Sequence, residues 1–242
     1  MDAAIVTGVS RGLGAALAAA LLERGFTVLG IGRSGNPALT GARYQFARLD
    51  LADAGRIDEV LAQPFRALAD SGPASVCLLN NAATAGPVGT LGTLAAADVA
   101  TSLVVNLAAV VALTNLFCRV FDDKAQPRRI INVSSGAAQT ALAGESCYCV
   151  AKAGMEMLTR ALAAEQQAPG FRAISVRPGI IDTDMQAFAR SQPRDVLPSV
   201  DMFLEFHSQG RLVPPHVVAT KIVEKLVVGD VEHGRTYSYQ EL

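Results

Sequence analysis

Six short apolar runs recur along the chain, and most are continuous rather than alternating: "AAIVTG", "FTVLGIG", "YQFARLDL", "ASVCLLNNA", "RRIINVSSG" and "FRAISVRPG". A strand with one wet face alternates apolar and polar residues. A continuous run marks a strand covered on both faces, as in a parallel sheet. Longer segments of helical character separate the runs. "GLGAALAAALLERG" closes on Gly25, a fitting residue just past a helix end. "AGRIDEVLAQPFRALADSG" carries Pro64, which predicts a kink or break. A long helix is expected over roughly Ala95 to Val120, another over "ESCYCVAKAGMEMLTRALAAEQQ", and a last one near "HVVATKIVEKLVVG", before a short closing strand near "RTYSY". Repeated strand–helix units with right-handed crossovers predict an α/β fold with a doubly wound, mostly parallel sheet. No linker, repeat or low-complexity tract divides residues 1–242, which read as a single domain. Two polar stretches, "RSGNPALTGAR" and "QAFARSQPRDVLPSVDMFLEFHSQGRLVPP", read as loop-rich surface; the second follows a strand's carboxyl end and could fold over a ligand.

Composition narrows the function classes. Half the residues are hydrophobic and 18% are charged, with a formal net charge of -1, so nucleic acid and anionic membrane surfaces are not expected partners. The most apolar run, "LVVNLAAVVALTNLFC", contains Asn106 and Asn115 and is short and polar for a bilayer span. The opening "MDAAIVTG" runs directly into a strand and shows no signal-peptide pattern. Cys77, Cys118, Cys147 and Cys149 form no Cys-x-x-Cys pair, and His207, His216 and His233 are scattered. Free thiols in a cytoplasmic protein without a metal site are the expectation.

The turn "TGVSRGLG", Thr7 to Gly14, joins the first strand to the first helix. Gly8 permits a sharp turn, Gly12 a close backbone approach to a ligand, and Gly14 tight packing of helix on sheet. The helix N-terminus then presents free N–H groups and a partial positive charge, which suits a diphosphate.

Further along, "NNAA" spans Asn80 to Ala83, "NVSS" ends at Ser135, "YCVAK" spans Tyr148 to Lys152, and "RPGIIDT" follows the sixth strand. The set, in this order, resembles the short-chain dehydrogenase/reductase family, a Rossmann-like fold. The first turn matches its Thr-Gly-x-x-x-Gly-x-Gly, with Ala83 replacing a glycine in the second motif. The resemblance spans nearly the whole chain. It implies a nicotinamide dinucleotide held by Gly8, Ser10, Arg11, Gly12, Leu13, Gly14, Arg33, Asp50, Leu51, Asn81 and Ala82. It extends those contacts to Tyr148, Lys152, Pro178, Gly179, Ile181, Asp182, Thr183, Met185 and Gln186.

The end of the second strand reads "LGIGRSG". A carboxylate there would bind the ribose 2′-OH and repel a 2′-phosphate. None is present, and Arg33, with Arg11 as a second cation, suits the phosphate. NADP(H) is the expected cofactor. Asp50 matches the family's adenine contact, and a helix N-cap is its alternative use.

Tyr148 and Lys152 lie four residues apart on one helical face. A free phenol titrates near 10, and a neighbouring ammonium is expected to lower that value. By the resemblance, Tyr148 is the proton donor, Lys152 also holds the nicotinamide ribose, Ser135 binds the substrate carbonyl, and Asn106 keeps a relay water. The implied reaction is NADPH-dependent reduction of a small carbonyl.

"RPGIIDTDMQ" and the C-terminal segment are similar to the sepiapterin reductases and their microbial relatives that reduce vicinal diketones such as benzil. Gly179 would border the substrate beside Ser135 and Tyr148. Those reductases anchor a pterin through a C-terminal aspartate, for which this chain offers Gln240 or Glu241. Two other readings fit the fold: a non-catalytic NADP-sensing regulator, and an NADP-linked alcohol dehydrogenase working oxidatively. The family pairs copies through the 95–120 helix and the helix of Tyr148, so a homodimer or homotetramer is expected.

Overall fold

The structure, a computed structural model, describes residues 1–122 and 126–242. Seven parallel strands form one sheet in the order β3-β2-β1-β4-β5-β6-β7. They are β1 (Ala3–Thr7), β2 (Thr27–Gly32), β3 (Tyr44–Arg48), β4 (Val76–Asn80), β5 (Arg128–Val133), β6 (Phe171–Arg177) and β7 (Thr236–Ser238). The helices are α1 (Gly12–Glu23), α2 (Ile57–Asp70), α3 (Ala96–Leu103), α4 (Ala109–Val120), α5 (Ser146–Glu165), α6 (Asp184–Arg190), α7 (Val200–Ser208) and α8 (Pro215–Ile222). The expected doubly wound sheet is present, with every strand pair parallel.

The continuous apolar runs are explained by what covers them. Leu17 and Leu21 of α1 and Val218 and Ile222 of α8 pack on one face of the sheet. On the other face lie Leu61 and Phe65 of α2, Leu113 and Phe117 of α4, and Leu162 of α5. Every residue of β1 and of β4 is buried, as strands sandwiched between helix layers must be.

Two expectations need correction. Pro64 lies inside α2, which runs through it without a break; the buried apolar stripe Ile57, Leu61, Phe65 and Leu68 holds the helix to the sheet across the missing N–H. The polar stretch 186–215, expected to be irregular, contains most of α6 and all of α7. These short helices close over a small cluster of Ala189, Leu197, Val200 and Phe203, against which Val88 and Leu142 pack. The long 96–120 helix is interrupted by a π turn at Val104–Ala108.

The chain passes from β1 outward through β2 and β3, then returns to β4 on the other side of β1. In open α/β sheets this reversal leaves a crevice outside the carboxyl ends of the strands, where ligands bind.

Candidate active site

The glycine turn occupies that crevice. Gly8 and Gly12 have φ of 77° and 58°, a region closed to most side chains. A Cβ on Gly14 would lie 2.1 Å from the Gly8 carbonyl oxygen, so the turn tolerates no side chain there. Arg11, at the helix boundary, makes no side-chain cap to α1, and no acid stands in its first turn. The first N–H groups of α1 are therefore left for an incoming anion. Thr7 ties the neighbouring loop in place: its hydroxyl accepts the N–H groups of Asn81 and Ala82, each at 2.9 Å. The Asn81 amide donates to the Thr7 carbonyl at 2.9 Å.

Arg33 and Asp50 line a cleft of about 360 Å³ together with Arg48, Leu49 and Arg56. Arg48 is a residue that sequence reasoning missed; its Nε donates to the Arg33 carbonyl at 2.9 Å. Arg11 does not line this cleft and instead pairs with Asp184 at 3.1 Å, both side chains exposed. Asp50 accepts the Ala52 N–H at 3.0 Å, so it caps the following turn while facing the cleft. Leu13 and Leu51 direct their side chains into the core, and Ser10 is exposed.

Tyr148 and Lys152 share one face of α5, at the carboxyl edge of β5. Lys152 is fully buried, and its ammonium donates to the Val133 carbonyl at 2.7 Å. Its Nζ lies 5.5 Å from the centroid of the Tyr148 ring. Burial pulls the ammonium pKa down to about 8. The expected lowering of the phenol pKa is not what this geometry gives. Burial above all, with the Glu145 and Cys149 charges adding to it, pushes Tyr148 up to about 12. The Ser135 hydroxyl lowers it. The reason is geometric: the ammonium sits over the ring face and is occupied by Val133. The Ser135 oxygen accepts the Ala137 N–H at 3.2 Å, which leaves its proton free to donate.

Asn106 is fully buried in the π turn. Its amide oxygen accepts the Thr84 N–H at 2.8 Å, and its nitrogen donates to the Thr84 carbonyl at 3.0 Å and to the Ser102 hydroxyl at 3.3 Å. Both amide hydrogens are used. Asn106 thus clamps the 81–84 loop, and any water it holds must bind its backbone carbonyl or the remaining Oδ1 lone pair.

A brace absent from the motif reading fixes α5. Arg177, at the end of β6, grips Glu156 with two hydrogen bonds of 2.8 and 2.7 Å. Ser134 donates to the same carboxylate at 2.7 Å. Glu156 lies one turn beyond Lys152, so its only sequence signal was an i,i+4 pair with that lysine.

The fourth wall follows β6. Pro178 is buried and Gly179, at φ 80°, is exposed. Ile181 pairs with Val213 and packs in the core. Asp182 is exposed, and its backbone N–H donates to Val213 at 2.9 Å. A Cβ on Gly12 would lie 3.4 Å from the Thr183 methyl, so this segment closes directly on the glycine turn. Met185 and Gln186 are half-buried, and the Gln186 Oε1 is enclosed without a partner.

At the C-terminus, Glu241 is committed to Ser238 and Arg235 at 2.6 to 2.8 Å. Gln240 is exposed. Tyr239 is the terminal residue that reaches the site: a Cβ on Gly179 would meet its ring at 3.2 Å. Among the described residues no group of His, Cys, Asp and Glu could hold a metal ion.

The family model described as short chain dehydrogenase matches residues 2–194. The chain is similar to a Bacillus cereus protein named benzil reductase ((S)-benzoin forming), with 31% identity covering 98% of each chain. It is 33% identical to the sepiapterin reductase of Meriones unguiculatus, covering 92% of this chain and 90% of that one. Among solved structures, a 3-oxoacyl-[acyl-carrier protein] reductase from Brucella melitensis in complex with NAD superposes with a TM-score of 0.82 at 26% identity. That match covers 98% of this chain and 95% of the other.

Proposed function

From this chain's membership of the short-chain dehydrogenase/reductase family, we propose that it reduces a small carbonyl compound, a vicinal diketone above all, with NADPH and with Tyr148 as proton donor. The observation that carries this reading is the convergence of Ser135, Tyr148 and Lys152 beside an uncapped glycine turn in one crevice. The names of the benzil and sepiapterin reductases to which the chain is similar support the substrate class.

The residues fit a nicotinamide dinucleotide. The free N–H groups of α1 suit its diphosphate, and Arg33 with Arg48, in a cleft lacking a carboxylate on β2, suits a 2′-phosphate. When bound, the reduced cofactor supplies a hydride to the carbonyl carbon. Ser135 donates a hydrogen bond to the carbonyl oxygen and aligns it with Tyr148. A phenol titrating at about 12 carries its proton throughout the neutral range, which is the state a donor requires. As negative charge builds on the substrate oxygen, Tyr148 releases that proton to it. The Lys152 cation stands close to the phenolate that remains.

Val111, Val150 and Met157 are exposed on α4 and α5, which supports the proposed pairing of two or four copies through those helices. Light scattering of the purified protein checks that reading. The catalytic reading is checked by following NADPH oxidation with benzil. Absence of turnover, with cofactor binding intact, would favour the NADP-sensing alternative.

A further inference from the structure

Glu145 stands three residues before Tyr148 and is 6% exposed. It occupies the boundary position of α5, yet its carboxyl does not cap that helix. No side-chain hydrogen bond or ion pair joins it to any described residue. Its oxygens are not among the sealed polar atoms without partners, so they keep a little contact with solvent. Its charge acts on the Tyr148 phenol, and burial pushes the carboxyl up to about 7.

The backbone holds it there. The Gly144 carbonyl accepts the Gly89 N–H at 2.8 Å. A Cβ on Gly144 would meet Leu197 and Pro198 side chains at 3.0 Å. The segment is therefore wedged between the loop after β4 and the 196–198 turn. A buried carboxyl with no protein partner is costly unless some other partner reaches it.

We infer that Glu145 determines specificity: its protonated carboxyl donates a hydrogen bond to the second oxygen of a vicinal dicarbonyl, while Tyr148 protonates the first. As the residue that opens α5, Glu145 stands beside the first turn in which Tyr148 is the third residue, and its charge reaches the phenol, so the phenol and the carboxyl can serve as a pair of donors to oxygens on adjacent carbons. Glu145 keeps its proton throughout; only the Tyr148 proton is transferred. An ionised carboxylate would repel the second oxygen, and a monoketone would leave the carboxyl unanswered. This inference rests on the carbonyl-reductase reading of the site.

The test compares kcat/KM for benzil with that for deoxybenzoin, which lacks one of the two carbonyls, using NADPH. Glu145→Met removes the donor at similar size, Glu145→Ala removes it with space to spare, and Glu145→Gln keeps a donor. The benzil-to-deoxybenzoin ratio is expected to fall about tenfold or more in the Met and Ala variants, the loss of one buried hydrogen bond. In Glu145→Gln it should stay within about threefold of wild type on the same scale. The ratio is independent of how much protein folds, and an unchanged ratio in both donorless variants overturns the inference. Wild type that turns over neither compound would instead overturn the carbonyl-reductase reading and this inference with it.

Discussion

The two ends of the crevice are built differently. At the end that carries Tyr148, Lys152 is pinned to Val133, Asn106 to Thr84, and Glu156 to both Ser134 and Arg177. These contacts are buried or half-buried. At the other end Arg33 is exposed, its side chain unpaired among the described residues, and Arg48 and Arg56 around it are exposed as well. Proton transfer fails when atoms are misplaced by a fraction of their contact distance, so it needs atoms held before the substrate arrives. Attraction between a guanidinium and a phosphate falls off slowly and tolerates a moving side chain. The difference suggests that damage at the first end should appear in turnover, and damage at the second in cofactor affinity.

The most severe test of that division is Tyr148→Phe. Removing the only proposed proton donor should lower kcat by at least about 10³-fold, within the usual range for general acid catalysis. NADPH binding, read by fluorescence titration, should change little. Near wild-type turnover in this variant would sink the assignment of Tyr148.

Glu156→Ala comes next. It leaves the Arg177 guanidinium and the Ser134 hydroxyl without their partner, and removing one side of a largely buried pair costs about 3 kcal/mol. The melting temperature should fall accordingly. Because α5 also carries Lys152, kcat should drop about tenfold through misplacement. The NADPH dissociation constant should move less than kcat does. A variant that loses cofactor affinity instead would mean that the brace serves both ends.

What the sequence revealed follows the same physical line. Ser135, Tyr148, Lys152 and the glycines were legible as candidates because each belongs to a local motif, one helical turn or one strand–helix junction. The Glu156–Arg177 pair spans 21 residues and two elements, and only the packing of α5 on β6 brings it together. Arg48 sits at the end of an edge strand whose pairing with β2 turns it toward Arg33, which spacing alone does not show. The helices α6 and α7 were hidden because Pro193, Pro198 and two exposed polar flanks mask two short apolar faces. Glu145 carried no signal, since an acid before a helix ordinarily reads as a cap.

Arg33→Ala probes the looser end. One exposed, charge-assisted contact to a 2′-phosphate should contribute about 1.4 kcal/mol, a tenfold rise in KM for NADPH. KM for NADH and both kcat values should stay close to wild type, and the NADPH effect should shrink in high salt. Equal changes for the two cofactors would place Arg33 outside the phosphate site.

The smallest effect expected is in stability, at Glu145, the buried acid beside the Tyr148 phenol. Glu145 titrates near 7 in the folded chain, against an ordinary value of 4.5. Between those values the folded state binds the proton more tightly than the unfolded state does. Stability therefore declines as pH rises through that window, and the whole cost of the buried charge is present above it. A shift of this size corresponds to about 3 kcal/mol, and solvent at the carboxylate oxygens reduces it to about 1 kcal/mol. Glu145→Gln cannot ionise, so its melting temperature should gain on wild type between pH 5 and pH 8, with little difference at the acidic end. Parallel melting curves across that range would mean that the carboxyl ionises as freely as one in water, and the Tyr148 end would then hold one group as loosely as the arginines at the other.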